Sequence, residues 1–133
     1  MPHCFPVRVY YEDTDLGQVV YYANYLRFIE RARSEWLRAG GVDQAGLLRD
    51  HGIAFVVRRV QADYLRPARY DDLLQVRSEL REVTGARIRL TQRVERAGEA
   101  LFTADVDLVC IAQPTMRPVR VPPGIRAALT TSA

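Results

Sequence analysis

The sequence predicts an α+β fold in which one long amphipathic helix packs against a curved, five-stranded antiparallel sheet. Three observations carry this expectation. Only one segment, Tyr25 to Ala39, repeats apolar residues at three and four positions over a long span. Later segments alternate or run apolar in the manner of strands, and the last three are joined by connections so short that they imply antiparallel hairpins. The elements follow one another as strand, helix and strands with no repeat and no linker, which fits one layered core. A chain of 133 residues falls in the size range of one domain, so residues 1–133 read as a single domain with its core over about residues 7–125.

The first strand is expected at residues 7–11, VRVYY, whose alternation ends in the polar run Glu12 to Gln18. In the helix that follows, Tyr25, Phe28, Ile29, Ala32 and Trp36 form the apolar stripe, while Arg27, Glu30, Arg31 and Glu35 occupy other faces. Asn24 is the expected N-cap and Gly40-Gly41 the stop. A weaker helical segment at about Gln44 to Asp50 leads through Gly52 into a long strand from Ala54 to about Leu65. Pro67 ends that strand, because it cannot donate to a ladder and restricts the residue before it. Strands at about Leu73 to Glu82, Ala86 to Arg96 and Ala100 to Ile111 are separated by Thr84-Gly85 and Gly98-Glu99. Beyond Pro114 a short turn of helix near Gly124 to Leu129 is expected, with a frayed tail after Thr130. The outer face of the sheet is expected to carry apolar side chains and hence to favour self-association.

The net charge of +3 and the isoelectric point near 9.1 come from arginine alone, because the chain contains no lysine. The arginines are scattered among carboxylates and form no stripe with interleaved aromatics, which argues against a nucleic-acid partner. A phosphate-bearing small ligand needs only a few well-placed guanidinium groups. Cys4 and Cys110 lack CxxC spacing and a histidine cluster, so neither a metal site nor a redox pair is expected. The apolar runs are shorter than a membrane span and the first residues lack the succession of a secretory signal. The expectation is a cytoplasmic protein with reduced thiols and no stable membrane insertion.

The most unusual segment is YEDTDLGQVVYYANY, residues 11–25, where three carboxylates and a glycine run into an aromatic helix entrance. On spacing alone it reads equally well as a polar turn with solvated acids and a helix cap, and Asp-x-Asp pairs are common in loops. The chemical reading starts from the unpaired N–H groups and positive dipole end of a helix N-terminus, which stabilise developing negative charge. A thioester carbonyl placed there is polarised, and an Asp15 carboxylate facing those amides can attack the carbonyl carbon or activate water to do so. The expected donors are the N–H groups of Val20, Tyr21 and Tyr22, and one such donor is typically worth a factor of ~100 to 1000 in rate. Gly17 is expected to let the loop turn tightly and to let substrate approach the backbone.

The run YEDTDLGQVVYYANYLRFIERARSEWLR resembles the signature of the 4-hydroxybenzoyl-CoA thioesterase-like hotdog proteins, especially their Tol-Pal-associated acyl-CoA thioesterase branch, the YbgC type. The similarity continues through AFVVRRVQADYLRPARYDDLL and LTQRV to Val109-Cys110, so it covers about residues 7–125. The resemblance implies a hotdog fold and hydrolysis of a small or medium acyl-CoA, with no metal and no cofactor beyond coenzyme A as part of the substrate. The family's catalytic Asp matches Asp15, the following glycine matches Gly17, and the backbone amide that polarises the thioester maps to Tyr22. Many relatives of the Tol-Pal branch carry His where this chain has Tyr22; a main-chain donor survives that exchange, and an imidazole proton-transfer role does not.

The resemblance further implies a site between subunits of a homo-oligomer, a dimer or a tetramer of hotdog dimers. Coenzyme phosphates would be held there by basic side chains, for which Arg58, Arg59, Arg66, Arg69, Arg87 and Arg89 are candidates. Val20, Tyr21 and Tyr25 are expected to line the substrate site, whereas Phe28 reads more naturally as core. His3 and His51 lie far from the motif in sequence, Asp71 and Asp72 are expected to shape a turn, and the orientation of Thr91 and Gln92 stays open. Two other readings also stay open: a module that binds acyl-CoA or an acyl carrier protein without turnover, and a hotdog dehydratase, whose chemistry usually draws on a histidine this segment lacks.

Overall fold

The computed structural model describes residues 2–132. Strand β1 (His3–Arg8) opens the chain, a 3-10 turn covers Tyr11–Asp13, and helix α1 (Asn24–Ala39) follows. Helix α2 (Gln44–His51), strands β2 (Ile53–Tyr64), β3 (Leu73–Thr84), β4 (Arg87–Arg96), β5 (Glu99–Ala112) and β6 (Arg117–Pro118), and helix α3 (Pro123–Ser132) complete the order. The strands form one antiparallel sheet in the order β1-β3-β4-β5-β2, with β6 beside β5. This is the α+β hotdog architecture, and the one addition to the five expected strands is the two-residue β6, too short to leave a periodic trace.

Local chemistry explains most element boundaries. Asp43 caps α2, its side chain accepting from the Gly46 N–H at 3.1 Å, and Gly52 ends it in the left-handed region at φ +63°. Between β4 and β5, Ala97 and Gly98 are both left-handed, as a tight two-residue hairpin turn requires. Register shifts at Val57/Arg59, Leu80/Glu82 and Val94/Glu95 introduce the bends of a curved sheet.

Three expectations about element boundaries are corrected. The first strand occupies His3–Arg8 instead of 7–11; Pro6 is tolerated because β1 is an edge strand, and the Tyr10 N–H is drawn out of any ladder by the Asp13 carboxylate at 2.8 Å. Asn24 is not the N-cap: Ala23 holds that position, and the Asn24 side-chain amide donates instead to the Asp13 carbonyl at 3.0 Å. The last helix continues past Thr130 to Ser132, and the remainder of the expected frayed tail, Ala133, lies outside the described residues.

The core lies between α1 and the inner face of the sheet. Phe28, Ile29, Ala32 and Leu37 pack toward Leu74, Val76, Ile88, Leu90, Val94, Phe102 and Val106, all of them buried. Arg33 is also buried on this side of the helix, 8 % exposed, and donates to the Gln92 side-chain oxygen at 3.0 Å. Gln92, 0 % exposed, in turn donates to the Ile29 carbonyl and to Ser78, both at 2.9 Å. Burial lowers the Arg33 pKa, with Glu30 opposing the shift.

The outer face carries the expected apolar side chains at its β2–β5 end, where Val56 pairs with Val109 and Ala54 with Ile111. Elsewhere it carries a polar lattice in which Arg77 and Arg93 meet Glu95, Arg89 meets Glu82 and Asp107, and Thr91 joins Arg81 to Asp105. An exposed apolar strip lies on the inner side of β2, where Val57, Val60 and Tyr64 pair across to Leu108, Val106 and Phe102 yet remain 46 %, 37 % and 49 % exposed. The cause is topological: β2 is the last strand of the sheet, while the closest backbone approaches of α1 are to β1, β3 and β4.

Candidate active site

Residues 14–20 form a tight loop closed by a bridge between Thr14 and Val20. The Asp15 N–H donates to the Val19 carbonyl at 3.0 Å and the Gln18 N–H to the Asp15 carbonyl at 2.9 Å. The Gly17 N–H donates to Asp15 Oδ1 at 2.9 Å, which fixes the carboxylate against its own loop. The left-handed residue is Gln18, at φ +65°, and what Gly17 provides is room, because a Cβ there would stand 3.2 Å from Asp15 Oδ1. The exposed Asp15 lines an open cleft of about 870 Å³ with Tyr11, Thr14, Leu16, Gln18, Arg69 and Tyr70.

The helix entrance sorts the expected amide donors. The Val20 N–H donates to the Ala68 carbonyl at 2.8 Å and the Tyr21 N–H to the Asp13 carbonyl at 2.9 Å, so both are engaged within the chain. The Tyr21 carbonyl accepts from the Asn24 N–H at 2.8 Å, closing a turn whose inner residues are Tyr22 and Ala23. Neither the Tyr22 nor the Ala23 N–H donates to any described residue. The Tyr22 carbonyl accepts from the Tyr64 hydroxyl at 2.9 Å. Val20, Tyr22, Tyr25, Tyr64, Leu65, Arg66 and Pro67 line a second, smaller cleft of about 250 Å³. Within one chain, then, Asp15 and Tyr22 stand at two neighbouring clefts separated by their shared loop.

A clamped segment, Pro67 to Asp72, supports both clefts. Ala68 is fully buried; its N–H donates to the Tyr25 hydroxyl at 2.9 Å while its carbonyl holds Val20. Tyr25 is therefore a strut of the core, 3 % exposed and stacked on Phe102 at 5.1 Å, and only its edge borders the smaller cleft. Burial pushes its phenol pKa up, against the Ala68 N–H and Arg96, which lower it. At the other end of the segment, Asp72 Oδ2 accepts from the Arg69 N–H and from Arg96 Nη1, both at 2.8 Å. Partial desolvation raises the Asp72 pKa, but these donors outweigh it and hold the carboxyl below its ordinary value.

The six candidate arginines separate. Arg69 stands at the Asp15 cleft and Arg66 at the Tyr22 cleft, where it also pairs with Glu99 at 3.4 Å. Arg89 is engaged by Glu82 and Asp107, and Arg59 reaches the Gln61 side chain at 3.5 Å. The Arg58 and Arg87 side chains have no hydrogen-bond or ion-pair partner among the described residues. Arg87 and Arg89 lie on the outer face, alternating with buried Ile88 and Leu90. His3 and His51 line neither cleft. Sequence reasoning missed Tyr64 and Ala68, whose roles arise from hydrogen bonds that span 42 and 43 residues and leave no local pattern.

Comparison with known proteins places this geometry. Residues 9–129 match the thioesterase-like superfamily. An acyl-CoA thioesterase, YbgC, from Haemophilus influenzae is 48 % identical over 124 residues, covering 93 % of this chain and 91 % of the relative. An acyl-CoA thioester hydrolase YbgC from Escherichia coli is 44 % identical over 124 residues, covering 92 % of each. Among solved structures, a probable thioesterase from Bartonella henselae superposes with a TM-score of 0.86 at 37 % identity, over 92 % of this chain and 100 % of that one. The chain belongs to the thioesterase-like superfamily of hotdog proteins, alongside the YbgC thioesterases.

Proposed function

We propose that this chain hydrolyses the thioester of a small or medium acyl-CoA, with Asp15 as the reacting carboxylate and the Tyr22 backbone amide as a donor to the carbonyl oxygen. The observation that carries the reading is the Tyr22 N–H, without an acceptor among the described residues, beside two neighbouring amides that are already engaged, on the same short segment as Asp15. The names of the YbgC relatives supply the substrate class. As the carbonyl carbon becomes tetrahedral its oxygen gains negative charge, and an unshared amide at a helix start stabilises that charge more than it stabilises the ground state. Asp15 acts either by attacking the carbon, expelling coenzyme A as a thiolate and leaving an anhydride that water opens, or by taking a proton from attacking water. Neither route calls for a metal or a redox cofactor; coenzyme A enters only as part of the substrate.

Self-association is part of the proposal. The open edge of β2 and the apolar residues Val57, Val60 and Tyr64 beside it support pairing with a second copy, as a dimer or a tetramer of dimers, which would add walls to the two shallow clefts. Sedimentation that returned only a 15.2 kDa species at micromolar concentration would refute it. Arg66 and Arg69, which border the two clefts, and Arg58 and Arg87, whose side chains have no partner among the described residues, are the candidates to meet coenzyme phosphates, and the reading places the protein in the cytoplasm, with a Tol-Pal association as in the branch it resembles. No helix among the described residues is long and apolar enough to cross a membrane.

The test is release of free thiol from a panel of acyl-CoA substrates by the purified protein, repeated with Asp15→Asn. A loss of about 100-fold or more in kcat is expected for the variant, and full activity would remove Asp15 from the mechanism. The competing reading, binding of acyl-CoA or an acyl carrier protein without turnover, draws on the Tyr at position 22 in place of an imidazole. Complex formation with negligible thiol release would select it.

A further inference from the structure

We propose that the oxyanion site consists of two consecutive backbone amides, those of Tyr22 and Ala23, and that Tyr64 is the positioning residue that fixes and polarises the second. The inference rests on the hydrolase reading above and adds a donor and a residue to it. Both peptide units at this turn are held by their carbonyls. The Tyr21 carbonyl, in the same peptide unit as the Tyr22 N–H, accepts from the Asn24 N–H at 2.8 Å. The Tyr22 carbonyl, in the same unit as the Ala23 N–H, accepts from the Tyr64 hydroxyl at 2.9 Å. The two N–H groups are left without partners among the described residues. Ala23 sits at φ −69°, ψ −21°, so the pair begins the helical turn and its amides point out of the helix start.

A hydrogen bond accepted at a peptide carbonyl polarises that unit and makes its N–H a stronger donor. Tyr64 therefore acts on the Ala23 amide through the peptide plane, without touching the substrate. Its own placement is constrained on three sides: the ring stands edge-on to Tyr25 at 5.4 Å, to Phe102 at 5.0 Å and to Tyr22 at 6.2 Å. Tyr64 also ends β2, opposite Phe102, so the sheet itself sets how far the hydroxyl reaches. Two amides converging on one oxygen suit a tetrahedral oxyanion better than a planar carbonyl, which is the selectivity that catalysis requires.

Tyr64→Phe keeps the three ring contacts and removes only the hydroxyl. With an acyl-CoA that the wild-type protein hydrolyses, kcat is expected to fall roughly 10-fold, with KM within twofold and the melting temperature little changed. In an Asp15→Asn background, infrared difference spectra of the same acyl-CoA carrying a carbon-13 carbonyl supply a readout that a merely structural role would not move: the lowered carbonyl frequency of the bound thioester rises again when Tyr64→Phe is added. A folded Tyr64→Phe protein with kcat within twofold of wild type and an unshifted carbonyl band overturns the inference. If the wild-type protein releases no thiol from any acyl-CoA, the hydrolase reading has failed first; if it does and Asp15→Asn does not, an unaffected Tyr64→Phe sinks this inference alone.

Discussion

Replacing Tyr25 by Phe removes one oxygen atom from the middle of the support beneath the site. The ring of Tyr25 is stacked on Phe102 with an interplanar angle of 17°, and a phenylalanine ring occupies the same place. The Ala68 N–H, on a residue with 0 % exposure, loses its acceptor. A buried donor left without a partner costs about 1–3 kcal/mol, and little hydrophobic gain offsets it because the ring was already buried. An unfolding entropy of about 2.1 cal/mol/K per residue converts that cost, for a chain of 133 residues, into a fall in melting temperature of roughly 4–11 °C. Urea unfolding at pH 7 and a fixed protein concentration, which holds any self-association constant, measures it. The same substitution distinguishes a strut from a pocket wall. A strut loses stability and kcat together while the ranking of acyl-CoA substrates stays the same, because the Ala68 carbonyl that holds the Val20 amide shifts with its own N–H. A change in stability below about 0.5 kcal/mol, or a reordering of acyl preferences at full stability, would refute the reasoning.

Gln92→Leu leaves the buried Arg33 guanidinium without its side-chain acceptor and is expected to cost about 3–5 kcal/mol; adding Arg33→Met should restore much of the loss, since an apolar pair needs no acceptor, and no restoration in the double mutant would count against the account. Asp72 gives the acid limb of the stability profile a definite sign. Its folded pKa lies below the ordinary 3.8, so the stabilisation is present above that value and is lost as the pH falls through the lower folded one. Unfolding free energies measured from pH 6 down to pH 3 should therefore fall more steeply for the wild-type protein than for Asp72→Asn, and parallel profiles would show that the Arg69 N–H and Arg96 do not hold this carboxylate.

The hydrophobic pattern located α1 by its stripe at helical spacing and located β2 to β5, whose ends Gly52, Pro67 and the glycines of the hairpins placed to within a few residues. The motif around Asp15 was likewise legible, because a carboxylate loop leading into a helix start is local in sequence. What the tertiary structure decided was the use to which individual groups are put. Asn24 has the composition of a cap, but the Asp13 carbonyl lies within its reach and takes its side chain. Gly17 suggested a tight loop open to substrate, and the fold adds a close neighbour, since a Cβ there would stand 3.2 Å from Asp15 Oδ1. The outer face of β3 and β4 proved polar, since strand alternation fixes which residues share a face but not which face a single helix can cover. Val20, Tyr21 and Tyr22 are neighbours in the chain with equivalent backbone donors, and only the arrival of Ala68 and Asp13 singles out the third as free. A hydrogen bond is satisfied by whichever group the fold brings within about 3 Å, and the partners that matter here, Tyr64 with Tyr22, Ala68 with Tyr25 and Gln92 with Arg33, come from more than forty residues away. Local sequence sets what each residue can donate or accept; the packing of β2 and the Pro67–Asp72 segment against the helix start sets which of those capacities remain for a substrate.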